Sequence, residues 1–322
     1  MPSDELSDRE FALRINDRFP EGLTAVFAIG ATRRTYILEQ NRQSENPGQI
    51  GDFSAMTDYL IPRYFKLVKM FFDLGGQNLL ITILSFRSFF ERGADYVAHA
   101  TPQLLRLTDA AACDFYHAEG IDPYFVGIDT LLMHPSTLPF RHVIEQLAVF
   151  QKGWDCQPGH RKLLWEVASI PLYTFWQAFE SMTPEERHML GQDIQSAPGL
   201  SEVFQRLYAR FSRLAYGTEF PGPHLYVGAN MSGDIKWASP MPIALTGGDY
   251  IRMYYTPYPT LFMTPETLRA ILNDVLGKRV QAFSKDYKDN YSRDVVEAEY
   301  QRALRLSGDP SSVVGYTRYP TA

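Results

Sequence analysis

Two cysteines in 322 residues, Cys113 and Cys156, are too few for a disulfide framework, and their spacing fits no zinc site. Long apolar runs are also missing. The longest, such as LLITIL at 79–84, fall far short of the roughly 20 residues that span a bilayer. The opening stretch MPSDELSDREFALRI is acidic and lacks the apolar centre of a secretory signal. Together these point to a soluble protein of the reducing cytoplasm. Positive charge is in deficit, with 31 Lys and Arg against 37 Asp and Glu and a net charge of −6. That argues against general nucleic-acid binding, which needs a basic surface, so any anion site must be local. The seven histidines (99, 117, 134, 142, 160, 188, 224) show no His-Glu-x-x-His spacing. Neither a Gly-x-Ser-x-Gly elbow nor a Gly-x4-Gly-Lys phosphate loop occurs. LTGGDYI (245–251) carries two glycines without the dinucleotide pattern and reads as a turn.

Aromatic residues, by contrast, are abundant: 21 Phe and 19 Tyr bring the share to 14%. Such an excess suits a well-packed core and equally the lining of a bulky apolar cavity. No internal repeat or low-complexity linker divides the chain, which reads as a single domain over 1–322. Residues 23–29, 78–85 (NLLITILS) and 122–129 read as buried strands, and 223–229 and 249–257 as two more. Helical patterns separate them. One runs over roughly 58–74 with Tyr64, Leu67, Val68, Phe71 and Phe72 on one face, Pro62 near its start and Gly75-Gly76 as its stop. A second covers about 92–118. The middle, about 135–215, reads as helical. It contains a capping box from Thr183 to Glu186 with Pro184 at the first helical position. Within 201–214, Val203, Phe204, Leu207, Tyr208 and Phe211 share one face, and Arg206, Arg210 and Arg213 form a solvated stripe on the other. An amphipathic helix starts at Thr264-Pro265, buries Leu268, Ile271, Leu272, Val275 and Leu276, and stops at Gly277. From about 282 the tail is charged, rich in tyrosine and expected to be mobile. Strands alternating with helices imply parallel crossovers, hence an α/β fold with a mostly parallel central sheet covered on both faces.

In such sheets ligands bind outside the carboxyl ends of the strands. FAIGATRRTYILEQ (27–40) leaves the first strand at that end through Gly30, Ala31 and Thr32, then places Arg33 beside Arg34. Small residues let a ligand approach the backbone, loop amides attract anions, and two guanidinium forks grip phosphate oxygens. The alternative is that one arginine pairs with a carboxylate such as Glu39 while the other is solvated. Residues 40–56 are polar and turn-rich, and read as a loop over the strand end.

With those residues in view, the sequence resembles the cis-prenyltransferase-like diterpene synthases, the family that includes tuberculosinol synthase and kolavelool synthase. The resemblance rests on FAIGATRRTYILEQ, continues through KLVKMFFDLGGQNLLITILS and FERGADYV, and returns in YYTPYPTLFMTPETLRAILNDVLGKR. It covers roughly 25–130 and 220–280. It implies a sheet like that of undecaprenyl diphosphate synthase, an apolar tunnel beside it, and a homodimer. The implied reaction ionises an allylic diphosphate supplied by a separate cyclase, and water or another nucleophile captures the cation. Family members hold magnesium with an Asp directly before the Gly-Thr/Asn segment; here that position is Gly30. Asp52, Asp58 and Asp129 are nearby alternatives, and the sequence selects none as a metal ligand. Chain-elongating relatives carry Arg-x-Ser-Gly-Glu at a strand end, whereas ANMSGD (229–234) places Asn230 where that arginine would fall. Elongation is disfavoured accordingly.

The expected diphosphate site is therefore Gly30, Ala31, Thr32, Arg33, Arg34 and, at the next strand end, Arg87. Arg33 and Arg34 are the expected catalytic groups, since donors aimed at developing charge contribute about 3–4 kcal/mol each. Tyr59 joins them, because the resemblance puts a functional tyrosine near the start of this helix; strict alignment falls on Met56, one helical turn earlier. Aromatic candidates for lining a cavity around the cation are Tyr64, Phe71, Phe72, Phe86, Phe89, Tyr254 and Tyr255. The expected activity is conversion of a bicyclic diterpenyl diphosphate (kolavenyl or labdane type) to an alcohol. Transfer of that group to a nucleoside or other acceptor, and a non-catalytic prenyl-diphosphate-binding module, are the alternatives.

Overall fold

Leu23–Ala28 forms β1, buried at every position, and it lies inside a six-stranded sheet. A computed structural model describes residues 6–30, 32–41, 50–84, 93–128, 140–219, 221–229, 251–277, 292–309 and 312. Ala31, Phe86, Arg87, Phe89, Asp129, Asn230 and residues 42–49 of the expected 40–56 loop lie outside those residues.

The other strands are β2 (Gly76–Leu84), β3 (Ile121–Val126), β4 (Arg161–Val167), β5 (Leu225–Ala229) and β6 (Arg252–Thr256). Their order is β3-β4-β2-β1-β5-β6, and all five pairings are parallel. Pro123 is tolerated within β3 because that strand is at the sheet edge, where one side needs no ladder donor. From β1 the chain steps to β2 on one side; β5 flanks β1 on the other and steps outward to β6. The strand order thus reverses between β1 and β5, the kind of switch point that opens a crevice at the carboxyl ends of the strands.

The described α-helices are α1 (Asp8–Arg18), α2 (Thr32–Tyr36), α3 (Phe53–Asp73), α4 (Gly93–Ala100), α5 (Ala110–Glu119), α6 (Arg141–Gly153), α7 (Pro171–Glu180), α8 (Pro184–Gln195), α9 (Leu200–Tyr216), α10 (Pro265–Leu276) and α11 (Arg293–Ser307). One face of the sheet carries the larger core. There Phe27, Leu79, Leu163, Trp165 and Leu225 meet Leu60, Tyr64, Phe71 and Phe72 of α3 and Leu268 and Leu272 of α10. The opposite face packs Val26, Leu80, Tyr124, Leu164 and Tyr226 against Tyr208, Phe211 and Tyr216 of α9.

Several elements differ from the sequence reading. Helix α3 starts at Phe53, because the Asp52 carboxylate accepts the Ala55 N–H at 3.0 Å; Pro62 therefore lies well inside it, on the solvent side. The single helix expected over 92–118 is three pieces: α4, a 3₁₀ segment Thr101–Leu107 begun by Pro102, and α5, capped by Asp109 on the Ala112 N–H at 2.9 Å. The expected helical middle contains β4. The tail includes α11, capped by Ser292. Thr183 and Glu186 do form the capping box of α8. On α9, Arg210 pairs with Glu186 at 3.3 Å and Arg213 with Glu219 at 2.7 Å, so the stripe is partly tied down. No described helix is long and apolar enough to cross a membrane.

Candidate functional site

β1 ends at Ala28, and the chain turns through Ile29 and Gly30 to begin α2 at Thr32. Gly30 is fitted closely to the neighbouring strand: a Cβ there would lie 3.1 Å from Cβ of Ala229, the last residue of β5. Its N–H points to Thr260 Oγ1 at 3.5 Å, and Thr260 is fully buried in the 3₁₀ turn that follows β6. Gly30 and Ala229 thus form a small-residue floor at the switch point. Thr35 is buried and anchors α2, while Arg33 and Arg34 are exposed on the same short helix. The two cations follow the carboxyl end of β1 at the strand-order switch, the end at which open parallel sheets generally bind ligands.

A π-helical turn, Ile37–Asn41, continues α2 and brings Glu39 to α3. Glu39 is held by Arg63 at 2.5 Å and by the Tyr59 hydroxyl. Arg63 lies over the Tyr59 ring at 3.6 Å, and Tyr36 meets that ring edge-on at 5.5 Å. The carboxylate that the sequence offered to Arg33 or Arg34 is engaged by α3. Glu39 and Arg63 were not singled out in the sequence as a pair; 24 positions apart, they are joined by a helix type that no residue pattern announces.

The aromatic candidates do not converge on one place. Phe71 packs edge-on against Phe27 at 5.5 Å, Phe72 lies beside Arg161, and Tyr64 meets Trp165 at 6.0 Å; all three are core side chains. Burial of the Tyr64 hydroxyl raises its pKa far above the usual tyrosine range. Tyr254 and Tyr255 are neighbours on β6, so they point to opposite faces of the sheet and cannot both line one cavity. Tyr254 donates to Asp274 Oδ2 at 2.5 Å; burial first, then that carboxylate, push its hydroxyl up to about 12. Tyr255 faces Tyr226 at 5.8 Å, and its hydroxyl is buried without a hydrogen-bond partner among the described residues.

Two of the carboxylates considered as metal ligands in the sequence have other partners. Asp52 caps α3, and Asp58 pairs with Arg106. Among the described residues no cluster of three His, Cys, Asp or Glu side chains is placed to hold a metal, and Gly30 offers no side-chain oxygen.

Two other features lie near strand ends. Glu166, buried on β4, accepts the Thr82 hydroxyl at 3.4 Å, and burial raises its carboxyl to about 8. Just beyond, Ala168 adopts φ +47, while its N–H donates to Leu84 O at 2.7 Å. A cavity of about 700 Å³ opens at the opposite, amino-terminal end of the sheet, between Phe19, Phe204, Tyr208, His224 and Arg252. It includes none of the residues expected at the site.

No family model matches the chain, and no curated protein does. Among solved structures, the chain is similar to a probable undecaprenyl diphosphate synthase from Campylobacter jejuni, with 11% identity over 80% of this chain and 96% of that one, at a TM-score of 0.46. It is similar also to lavandulyl diphosphate synthase from Lavandula x intermedia, solved in complex with dimethylallyl diphosphate, with 14% identity over 80% of this chain and 95% of that one, at a TM-score of 0.44.

Proposed function

We propose that this chain binds an allylic prenyl diphosphate in the crevice between the ends of β1 and β5 and promotes loss of its diphosphate. A bicyclic diterpenyl diphosphate is the substrate class, and a diterpene alcohol the product. The observation that supports the reading is the position of Arg33 and Arg34 in sequence and topology, on the short helix that follows the carboxyl end of β1, next to the strand-order switch between β1 and β5. The FAIGATRRTYILEQ segment supports it from the sequence side.

In this mechanism Arg33 and Arg34 grip the diphosphate and the Thr32 hydroxyl adds a donor. The C–O bond breaks heterolytically, its electron pair stays on the departing oxygen, and the guanidinium groups compensate the charge that grows there. A water oxygen then bonds to the carbocation and releases its proton to solvent. No step is routed through a metal. The absence of a described carboxylate at the Gly30 position supports one second reading, a binding module that holds the diphosphate without turning it over.

The test is a product assay. Purified protein is incubated with geranylgeranyl diphosphate and with bicyclic diterpenyl diphosphates, with magnesium or EDTA, and extracts are analysed by gas chromatography–mass spectrometry. A diterpene alcohol from a bicyclic substrate is the expected result. Phosphate release without a terpene alcohol favours transfer or simple hydrolysis. Tight diphosphate binding without turnover favours the binding module.

A further inference from the structure

The π-helical turn Ile37–Asn41 is a rare geometry that recurs at functional sites. Here it delivers Glu39 to α3, where two donors meet one carboxylate oxygen: Arg63 Nη2 at 2.5 Å and the Tyr59 hydroxyl. Arg63 also donates to the Tyr59 carbonyl at 3.2 Å and rests on the Tyr59 ring. Tyr36, the last residue of α2, closes the set by meeting that ring edge-on. Glu39, Arg63 and Tyr59 thus each contact the other two, and Tyr36 joins them through the Tyr59 ring. A guanidinium stacked on an aromatic face has one orientation fixed, and the carboxylate fixes the other.

Global stability is a poor explanation for this cluster. The Arg63 and Glu39 side chains remain 33% and 37% exposed, a setting in which ion pairs contribute little to folding. Thr35, buried beneath α2, anchors the segment to the core without them. What the cluster does fix is the position of residues 32–41 relative to α3, and hence where the backbone carries Arg33 and Arg34. A binding segment held in its bound position loses less freedom when the ligand arrives.

Resting on the diphosphate reading above, we propose that Glu39 is a positioning residue. With Arg63 and Tyr59 it latches the two-arginine segment to α3 and so sets the affinity for the diphosphate. This assignment carries a sign opposite to simple electrostatics. Removing a negative charge six and five positions beyond the two arginines should strengthen anion binding through charge alone. Loss of a latch should weaken it.

The experiment titrates inorganic diphosphate calorimetrically into the full chain, into Glu39→Gln, Arg63→Met and the double variant, and into Arg33→Ala, with a thermal unfolding midpoint for each. Glu39→Gln is expected to bind diphosphate about tenfold more weakly with an unchanged midpoint. Arg63→Met should do the same, and the double variant should be no weaker than either single one, as for groups acting as a unit. Unchanged or tighter binding by Glu39→Gln, alongside loss of binding in Arg33→Ala, overturns the latch alone. Weakening that tracks a fall in the midpoint of both single variants also overturns it, since the role is then structural. Wild-type binding by Arg33→Ala overturns the diphosphate reading, and the latch with it.

Discussion

The ring of Phe71 covers the Cα of Gly76: a Cβ added to Gly76 would lie 2.1 Å from Phe71 Cε1 and 2.4 Å from Cζ. Gly76 opens β2, and Phe71, fully buried, is the α3 side chain that seals the turn between them. Its ring also meets Phe27 of β1 and cannot retreat without disturbing the central strand. Gly76→Ala is expected to destabilise the fold by about 3 kcal/mol, the upper end of overpacking costs. Urea unfolding of the two proteins measures it.

Glu166 makes stability depend on pH. Its carboxyl titrates near 8 in the fold against 4.5 when unfolded, so between these values the folded chain keeps a proton that the unfolded chain has released. The contribution is full below pH 4.5, falls by about 1.4 kcal/mol per pH unit, and is lost by about pH 8. Glu166→Gln mimics the protonated form. It should match the wild type near pH 4.5 and exceed it at pH 8 by several kcal/mol, of order 3–5 for a shift of this size. Urea midpoints of both proteins at pH 5, 6.5 and 8 give the difference; a difference flat with pH would contradict the assignment.

For the arginines the expected loss is kinetic. Each removed donor at a developing oxyanion costs about 3–4 kcal/mol, so Arg34→Ala should lower turnover of an allylic diphosphate by roughly two to three orders of magnitude. Both arginines are exposed, so the unfolding midpoint should hold. Single-turnover assays over a range of substrate concentrations separate this loss from weakened binding. An unchanged rate removes Arg34 from the mechanism.

How far the sequence foretold this molecule differs from element to element. β1 and β2 are legible because strands buried on both faces contain short continuous apolar runs, and β3 is legible from Tyr124, Phe125 and Val126 despite the buried Asp122. α10 is legible because Thr264, Pro265 and Gly277 bracket a clean amphipathic period. β4 was hidden: RKLLWEV begins with two cations and carries a buried carboxylate, Glu166, where an apolar residue would have completed the run. α3 lost its first turn in the sequence reading because Asp52 caps it from within a stretch rich in turn residues. At the site, the local segment 30–34 could be read, since a strand end followed by small residues and cations is contiguous in sequence. The Glu39–Arg63–Tyr59 cluster could not. The partners are distant, and their meeting depends on one widened helical turn.

The position of β1 between β2 and β5 sets the order in which the protein can be completed. Ala25 pairs with Leu79 on one side and with Leu225 on the other, so one edge finds its partner early in synthesis and the other waits for some two hundred residues. Until β5 emerges, the most apolar strand of the sheet has an open backbone edge, and the half of the crevice that β5 provides does not exist. Contacts so distant in sequence make for slow folding, and an unpaired edge in that interval invites association with other nascent chains. The same juxtaposition that brings Gly30 against Ala229 therefore makes the site among the last parts of the molecule to form.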